Sequence, residues 1–133
     1  MSKKNHPFDN DEMLEQVVAH LAALADPTRL RILNHLRTTG ECTVGSLVDV
    51  VQLSQPSVSR HLAILKREGL IDARRDGNQL FCSVRDESVF SICSILCDCV
   101  STRVKRDHSA LRGRRSGKSK KPKSSPSKRS KRA

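Results

Sequence analysis

Apolar residues recur at spacings of three and four from residue 11 to residue 25, where Leu14, Val17, Val18, Leu21 and Leu24 mark one face. That period predicts an amphipathic first helix. Asp26 and Pro27 break it and start another, with Asp26 as cap and Pro27 at the first helical position. The second helix, from residue 27 to about residue 36, is expected to turn Leu30, Leu33 and Leu36 inward and to keep Arg29 and Arg31 off that face. Thr38, Thr39 and Gly40 end it. Residues 41 to 44 suit a very short strand, and Thr43 caps a third helix carrying Leu47, Val48 and Val51. Ser54 as cap, Pro56 in the first turn and Gly69 as stop define a helix over about residues 55 to 68. On a wheel of about 100° per residue, Val58, Leu62 and Leu65 point to the core, with His61 at their edge. The runs 70 to 75 and 79 to 84 flank Asp76, Gly77 and Asn78, a turn whose residues tolerate positive φ, so a β-hairpin follows. Val89, Ile92, Cys93, Leu96, Val100 and Val104 then repeat at helical spacing and predict a last helix from residue 86 to about residue 103. The expected fold is mainly α with a small β-hairpin, its centre a helix, a turn and a helix.

Charge divides the chain differently. The net charge is +11, and all of it sits at one end, because residues 112 to 133 hold 11 Lys/Arg and no acid. Those residues carry no aromatic or branched aliphatic side chain and are expected to be disordered. The organisation read from the sequence is a disordered N-terminus at 1–10, a domain at 11–106 and a basic disordered tail at 107–133. With 133 residues, 36% apolar, and no Trp or Tyr, the chain has material for one small aliphatic core. No apolar run approaches the roughly 20 residues of a membrane span, and the polar opening lacks the apolar centre of a signal peptide. A cytoplasmic protein without a membrane partner is expected. Five cysteines, three of them at 93, 97 and 99, do not form a secreted disulfide framework and read as reduced thiols.

The helix over residues 55 to 68 carries the candidate chemistry. Gln55, Ser57, Ser59 and Arg60 gather at its N-terminal end, where short hydroxyls, an amide and a guanidinium are the groups that read base edges and grip phosphates in a major groove. An ordinary solvated helix face would look similar. His6, His20, His35, His61 and His108 have neither a paired nucleophile nor metal-ligand spacing, and no Gly-rich phosphate loop is present, so an enzyme acting on a small organic substrate is not expected.

Three segments, LAALADPTRLRILNHL, GECTVGSLVDVVQLSQPSVSRHLAILKREGLI and ARRDGNQLFCSV, together resemble the bacterial arsenic-repressor family, also called the ArsR/SmtB family of winged-helix transcription regulators. The similarity spans about residues 12 to 104 in order, spacing and residue type. It implies a winged helix-turn-helix homodimer on double-stranded DNA. First and last helices would pair across a twofold axis, and two recognition helices would enter major grooves about 34 Å apart on an imperfect palindrome. By the resemblance, Ser54, Gln55, Ser57, Ser59, Arg60 and His61 occupy DNA-reading or DNA-proximal places, with a structural role for His61 equally open. Arg74, Arg75, Gly77 and Asn78 form the wing near the minor groove.

The family's zinc branch implies ligands on the last helix. Asp86 fits the first place, but Ser88 and Thr102 stand where others are expected and only Asp98 could substitute. The cysteine cluster of the arsenic branch is also absent, since Thr43, Gly45 and Val48 occupy that turn, with Cys42 just before it. Cys93, Cys97 and Cys99 remain. Cys93 and Cys97, four apart, share a helix face with Cβ atoms about 6 Å apart, whereas Cys99 lies about 200° round from Cys97. Two thiolates and a third from a partner subunit, or from a frayed segment, would make a site for arsenic(III) or antimony(III), and thiolates also suit copper(I) or zinc. Cysteine is equally a small core residue, and Cys93 lies inside the apolar stripe. Cys42 and Cys82 stand alone in the sequence and read as structural, Cys82 replacing an aromatic usual in the family. The expected function is a repressor released from its operator by a thiol-binding effector: a metalloid, a soft metal ion or a reactive sulfur species or oxidant. The rival reading is an architectural, nucleoid-type protein, because residues 118 to 132 are compositionally similar to a linker-histone tail.

Overall fold

The computed structural model describes residues 6–119, with side chains to Arg114. The elements are α1 (Asp11–Leu24), α2 (Pro27–Thr39), β1 (Cys42–Thr43), α3 (Val44–Val51), α4 (Gln55–Arg67), β2 (Ile71–Asp76), β3 (Gln79–Val84) and α5 (Ser88–Ser119). The described residues fall into two compact units, divided after Val89.

Local signals set most boundaries. Asn10 caps α1 by accepting from the backbone N–H groups of Glu12 and Met13. Asp26 caps α2 through the Arg29 N–H at 2.9 Å, and Thr43 caps α3 through that of Ser46. Ser54 caps α4 through Ser57 N–H, with Pro56 in the first turn. Each side chain satisfies a donor that the first helical turn leaves unpaired. Between α3 and α4, Gln52 closes the turn in the left-handed region at φ +56°, its N–H donating to Val48. A glycine relieved of the Cβ clash would sit there more easily.

In the first unit, α2, α3 and α4 pack on one another and on the sheet. Ile32, Leu33, Leu36, Leu47, Val58, Leu65, Leu70, Ile71, Cys82 and Val89 are fully or almost fully buried there. The inward face of α2 is rotated from the one expected: Leu30 is 40% exposed and Ile32 replaces it in the core. Ile32 and Leu36, four apart, stack on one side of the helix, with Leu33 beside them.

The sheet has three antiparallel strands in the order β1-β3-β2. The hairpin turns at Gly77 and Asn78, where only Gly77 has positive φ (+62°), the signs of a II′ turn. β1 joins the far side of β3, with Cys42 opposite Cys82 and Thr43 opposite Phe81.

Both ends of the chain carry more structure than expected. Residues 7–9 form a single 3-10 turn, capped by His6, within the segment read as a disordered N-terminus. At the other end α5 continues to Ser119, through the first part of the segment read as a disordered tail. No proline interrupts residues 104 to 119, and Ala110, Leu111, Arg112 and Arg114 are good helix formers. The rest of that tail, residues 120–133, lies outside the described residues, as do residues 1–5. Among the described residues, no helix is long and apolar enough to cross a membrane.

Apolar side chains remain on two helices. Leu14, Val18 and Leu21 of α1 are exposed, as are Ile95, Leu96, Val100 and Val104 of α5. Part of each apolar stripe is thus exposed, while Leu24 of α1 and Val89 of α5 are buried.

Candidate nucleic-acid interface

The N-terminal turn of α4 and the wing line one cleft of about 390 Å³, to which α4 gives Gln55 and Ser59 and the hairpin gives Arg75, Asn78, Gln79 and Leu80. Thr43, Val44 and Gly45, at the start of α3, close its third side. The structure therefore brings together Gln55, Ser59, Arg75 and Asn78 from two separate stretches. Gln79 was not singled out from the sequence, although it directly follows the turn residues, and Gly45 was named only for the cysteine site that the chain lacks. Arg60 is exposed on α4, free of any ion pair among the described residues.

Other predicted residues are engaged within the fold. The Ser54 hydroxyl donates to that of Ser57 at 3.0 Å while accepting the Ser57 N–H at 3.4 Å, so this pair fixes the helix start. Gly77 supplies the turn's positive φ. Arg74 is held by Glu41: its Nε donates to Glu41 Oε2 at 2.9 Å and its Nη2 to Glu41 Oε1. Its guanidinium also lies 4.7 Å from the ring centroid of Phe81, its cross-strand partner, and 3.8 Å from Asp76. A two-pronged pair of this kind has fixed geometry. Hydrogen bonding to Arg74 holds the Glu41 carboxyl below the ordinary glutamate value. Arg74 thus braces β2 against the residue that precedes β1, and Arg75 is the wing arginine that faces the cleft.

His61 sits half-buried on the opposite side of α4 from that opening turn, against the start of α2. Its Nδ1 is 3.3 Å from Arg29 Nη1 and 3.8 Å from the Asp26 carboxylate. Arg29 also donates from Nε to the Ala23 carbonyl and from Nη2 to that of Ala22 at 3.0 Å. One guanidinium therefore ties the end of α1 to α4. The Arg29 backbone N–H, foremost, holds the Asp26 carboxyl below its usual range. The structure places His61 against Arg29 and Asp26. Arg29 was read only as a residue off the apolar face, yet its place three residues after the cap was the available signal.

On α5, Cys93 is half-buried and Cys97 and Cys99 are exposed, all three as free thiols. Burial, foremost, and then the neighbouring Cys97 push the Cys93 thiol up. Among the described residues, no group of three His, Cys, Asp or Glu is placed to hold a metal ion. The Asp86 carboxylate accepts the hydroxyl and N–H of Ser88, at the start of α5, at 2.6 and 3.0 Å, and these bonds hold its pKa below the usual value.

The sequence and fold are similar to those of known proteins. The family model described as "Bacterial regulatory protein, arsR family" matches residues 26–73, from the Asp26 cap into β2. An uncharacterized HTH-type transcriptional regulator of Methanocaldococcus jannaschii, MJ1325, is 35% identical over 85 residues, covering 64% of this chain and 96% of that protein. A probable mercury resistance operon repressor of Streptomyces lividans is 48% identical over 67 residues, 50% of this chain and 53% of that one. Among solved structures, the homodimeric winged helix-turn-helix DNA-binding domain of Mb0332 from Mycobacterium bovis, a possible ArsR-family transcriptional regulator, superposes with a TM-score of 0.60 at 27% identity. That match covers 74% of this chain and 90% of that one. The order of caps, helices and wing, the polar cleft and these relatives agree: the chain belongs to the bacterial arsR family of winged helix-turn-helix transcription regulators, and it is a regulator rather than an enzyme.

Proposed function

We propose that the protein is a cytoplasmic homodimeric repressor that grips a palindromic operator with the N-terminal turn of α4 and the wing. The observation that carries this reading is the shared cleft of Gln55, Ser59, Arg75 and Asn78. An amide and a hydroxyl at a helix start suit base edges, and an arginine beside a turn amide suits the flanking backbone. In this reading Ser59, Gln55 and Arg60 read bases, and Ser54 and Ser57 hold the helix start against the phosphates. Arg75 and Asn78 contact the backbone at the turn that Gly77 permits. Arg74 and His61 position these elements. Dimerisation through α1 and α5 is supported by their exposed Leu14, Val18, Leu21, Leu96, Val100 and Val104, and by the homodimeric relative. Footprinting with the full chain tests the reading, since a dimer protects two half-sites about 34 Å apart.

The proposed effector acts on α5. Cys93 and Cys97 share a face, and a third thiolate, Cys99 of the other subunit, would complete a site for arsenic(III) or antimony(III), with copper(I) and zinc as the other thiophilic candidates. The name of the Streptomyces lividans relative supports repression relieved by a thiophilic ion. Because α5 would lie at the dimer interface, an ion bound there more tightly in one arrangement than in the other changes the spacing of the reading heads.

A further inference from the structure

The register of β1 and β3 places Cys42 directly opposite Cys82, forty residues away in sequence. Directly opposed residues of an antiparallel pair leave the same face of a sheet, with Cβ atoms about 4.5–5.5 Å apart. A disulfide wants about 3.8 Å, so closing one would draw the two strands together. A single ion set between two sulfurs spans the wider gap without that movement. Both thiols are free, Cys82 fully buried and Cys42 half-buried. A groove of about 190 Å³ between α4 and the sheet, lined by Leu62, Lys66, Ala73 and Leu80, reaches Cys82.

We propose that Cys42 and Cys82 form a two-thiolate site for a soft divalent ion of linear coordination, the chemistry of mercuric ion. Coordination number and charge select that class. Residues 1–89 contain no third cysteine, and among the described residues no third His, Asp or Glu joins the pair in a ligand group. Two sulfurs cannot complete the tetrahedron of zinc or the three-sulfur pyramid of trivalent arsenic. A monovalent ion would leave a net negative complex in a buried place, whereas a divalent ion gives a neutral one, which costs far less to bury. Besides Cys42 itself, the charges felt at Cys82 come from Lys66 and Glu41, which are of opposite sign and do not alter that preference.

Desolvation, foremost, pushes the Cys82 thiol up to about 11, and burial raises Cys42 as well. The pair is therefore protonated at neutral pH and a poor target for oxidants that require thiolate. Ion uptake breaks two S–H bonds, forms two sulfur–metal bonds and releases two protons, with no change of oxidation state. Because β1 runs directly into the Thr43 cap of α3 and β3 is a wing strand, the ion would clamp the start of the helix pair to the wing. This site does not depend on the reading of the α5 cysteines.

The test uses the full chain carrying Cys93→Ser, Cys97→Ser and Cys99→Ser, so that only this pair remains. Mercuric chloride is titrated against a competing monothiol, following the ultraviolet sulfur-to-mercury absorption, bound metal, chain association and proton release. The expected result is one ion per chain, two protons released and a higher unfolding temperature. Cys42→Ser, at a half-exposed position that spares the core, should weaken retention by about 10²–10⁴-fold through loss of the second arm. Ions held singly by each thiol, an ion bridging two chains, or retention unchanged in Cys42→Ser would overturn the proposal.

Discussion

Arg29 of α2 and His61 of α4 meet with guanidinium Nη1 3.3 Å from imidazole Nδ1. A guanidinium has no acceptor, so in this contact it is Arg29 that donates and His61 Nδ1 that accepts. The contact fixes how α4 is presented. Arg29→Ala should cost about 1.5–3 kcal/mol, as expected for losing hydrogen bonds from a charged group, and weaken operator and random DNA together. A base-reading role for His61 predicts instead that His61→Ala relaxes sequence choice while the unfolding free energy stays unchanged. Denaturant unfolding beside a binding titration decides between them.

Arg60→Ala should weaken operator binding by about 1–3 kcal/mol and relax base choice at one position in each half-site. Arg75→Ala should weaken operator and random DNA alike and lower the salt slope by about 1. Binding titrations on both DNAs at several salt concentrations separate a base reader from a phosphate contact.

The Glu41–Arg74 pair carries a pH dependence. The folded-state pKa of Glu41 is depressed, so its contribution is complete above the ordinary glutamate value of 4.5 and is lost as pH falls through the lower folded value. Glu41→Gln should therefore remove part of the loss of stability on acidification below pH 4.5 and leave the chain at neutral pH slightly weaker in wing-dependent DNA binding. Unfolding transitions compared between pH 3 and 7 check the sign. A variant that tracks the parent throughout contradicts it.

Much of this was legible because the signals are local. Asp26, Thr43, Ser54 and Gly69 each mark a helix end by their own side chain or φ, and the structure has those ends. What sequence could not show depends on pairing at a distance. Cys42 and Cys82 read as two isolated thiols because a two-residue strand has no period to announce its partner. Arg74 read as a free wing cation because Glu41 is 33 residues away. The continuation of α5 was missed for another reason: a basic composition without branched apolar side chains suggested disorder, although Ala110, Leu111 and the arginines around them suit a helix.

Seven Lys/Arg and no acid lie in residues 120–133. Removing these residues should lower the slope of log affinity against log salt by up to about 0.9 for each phosphate they neutralise and leave the operator footprint in place. An unchanged slope would mean that the segment does not touch DNA.

Cys93→Ser and Cys97→Ser should keep DNA affinity near that of the parent and abolish release by arsenite or antimonite. Variants that fail to dimerise would make these thiols packing atoms instead. Sedimentation and an operator-release titration, run on the same preparations, distinguish the two outcomes.

The most direct measurement is a footprint of the full chain on duplex DNA that it selects from a random pool, with Ser59→Ala and Arg60→Ala alongside. The expected result is a discrete protected palindrome with half-sites about 34 Å apart, which needs more protein and is less selective in the two variants. Uniform coating of any duplex, unaffected by those substitutions, would contradict it and leave an architectural protein that binds through its basic segment.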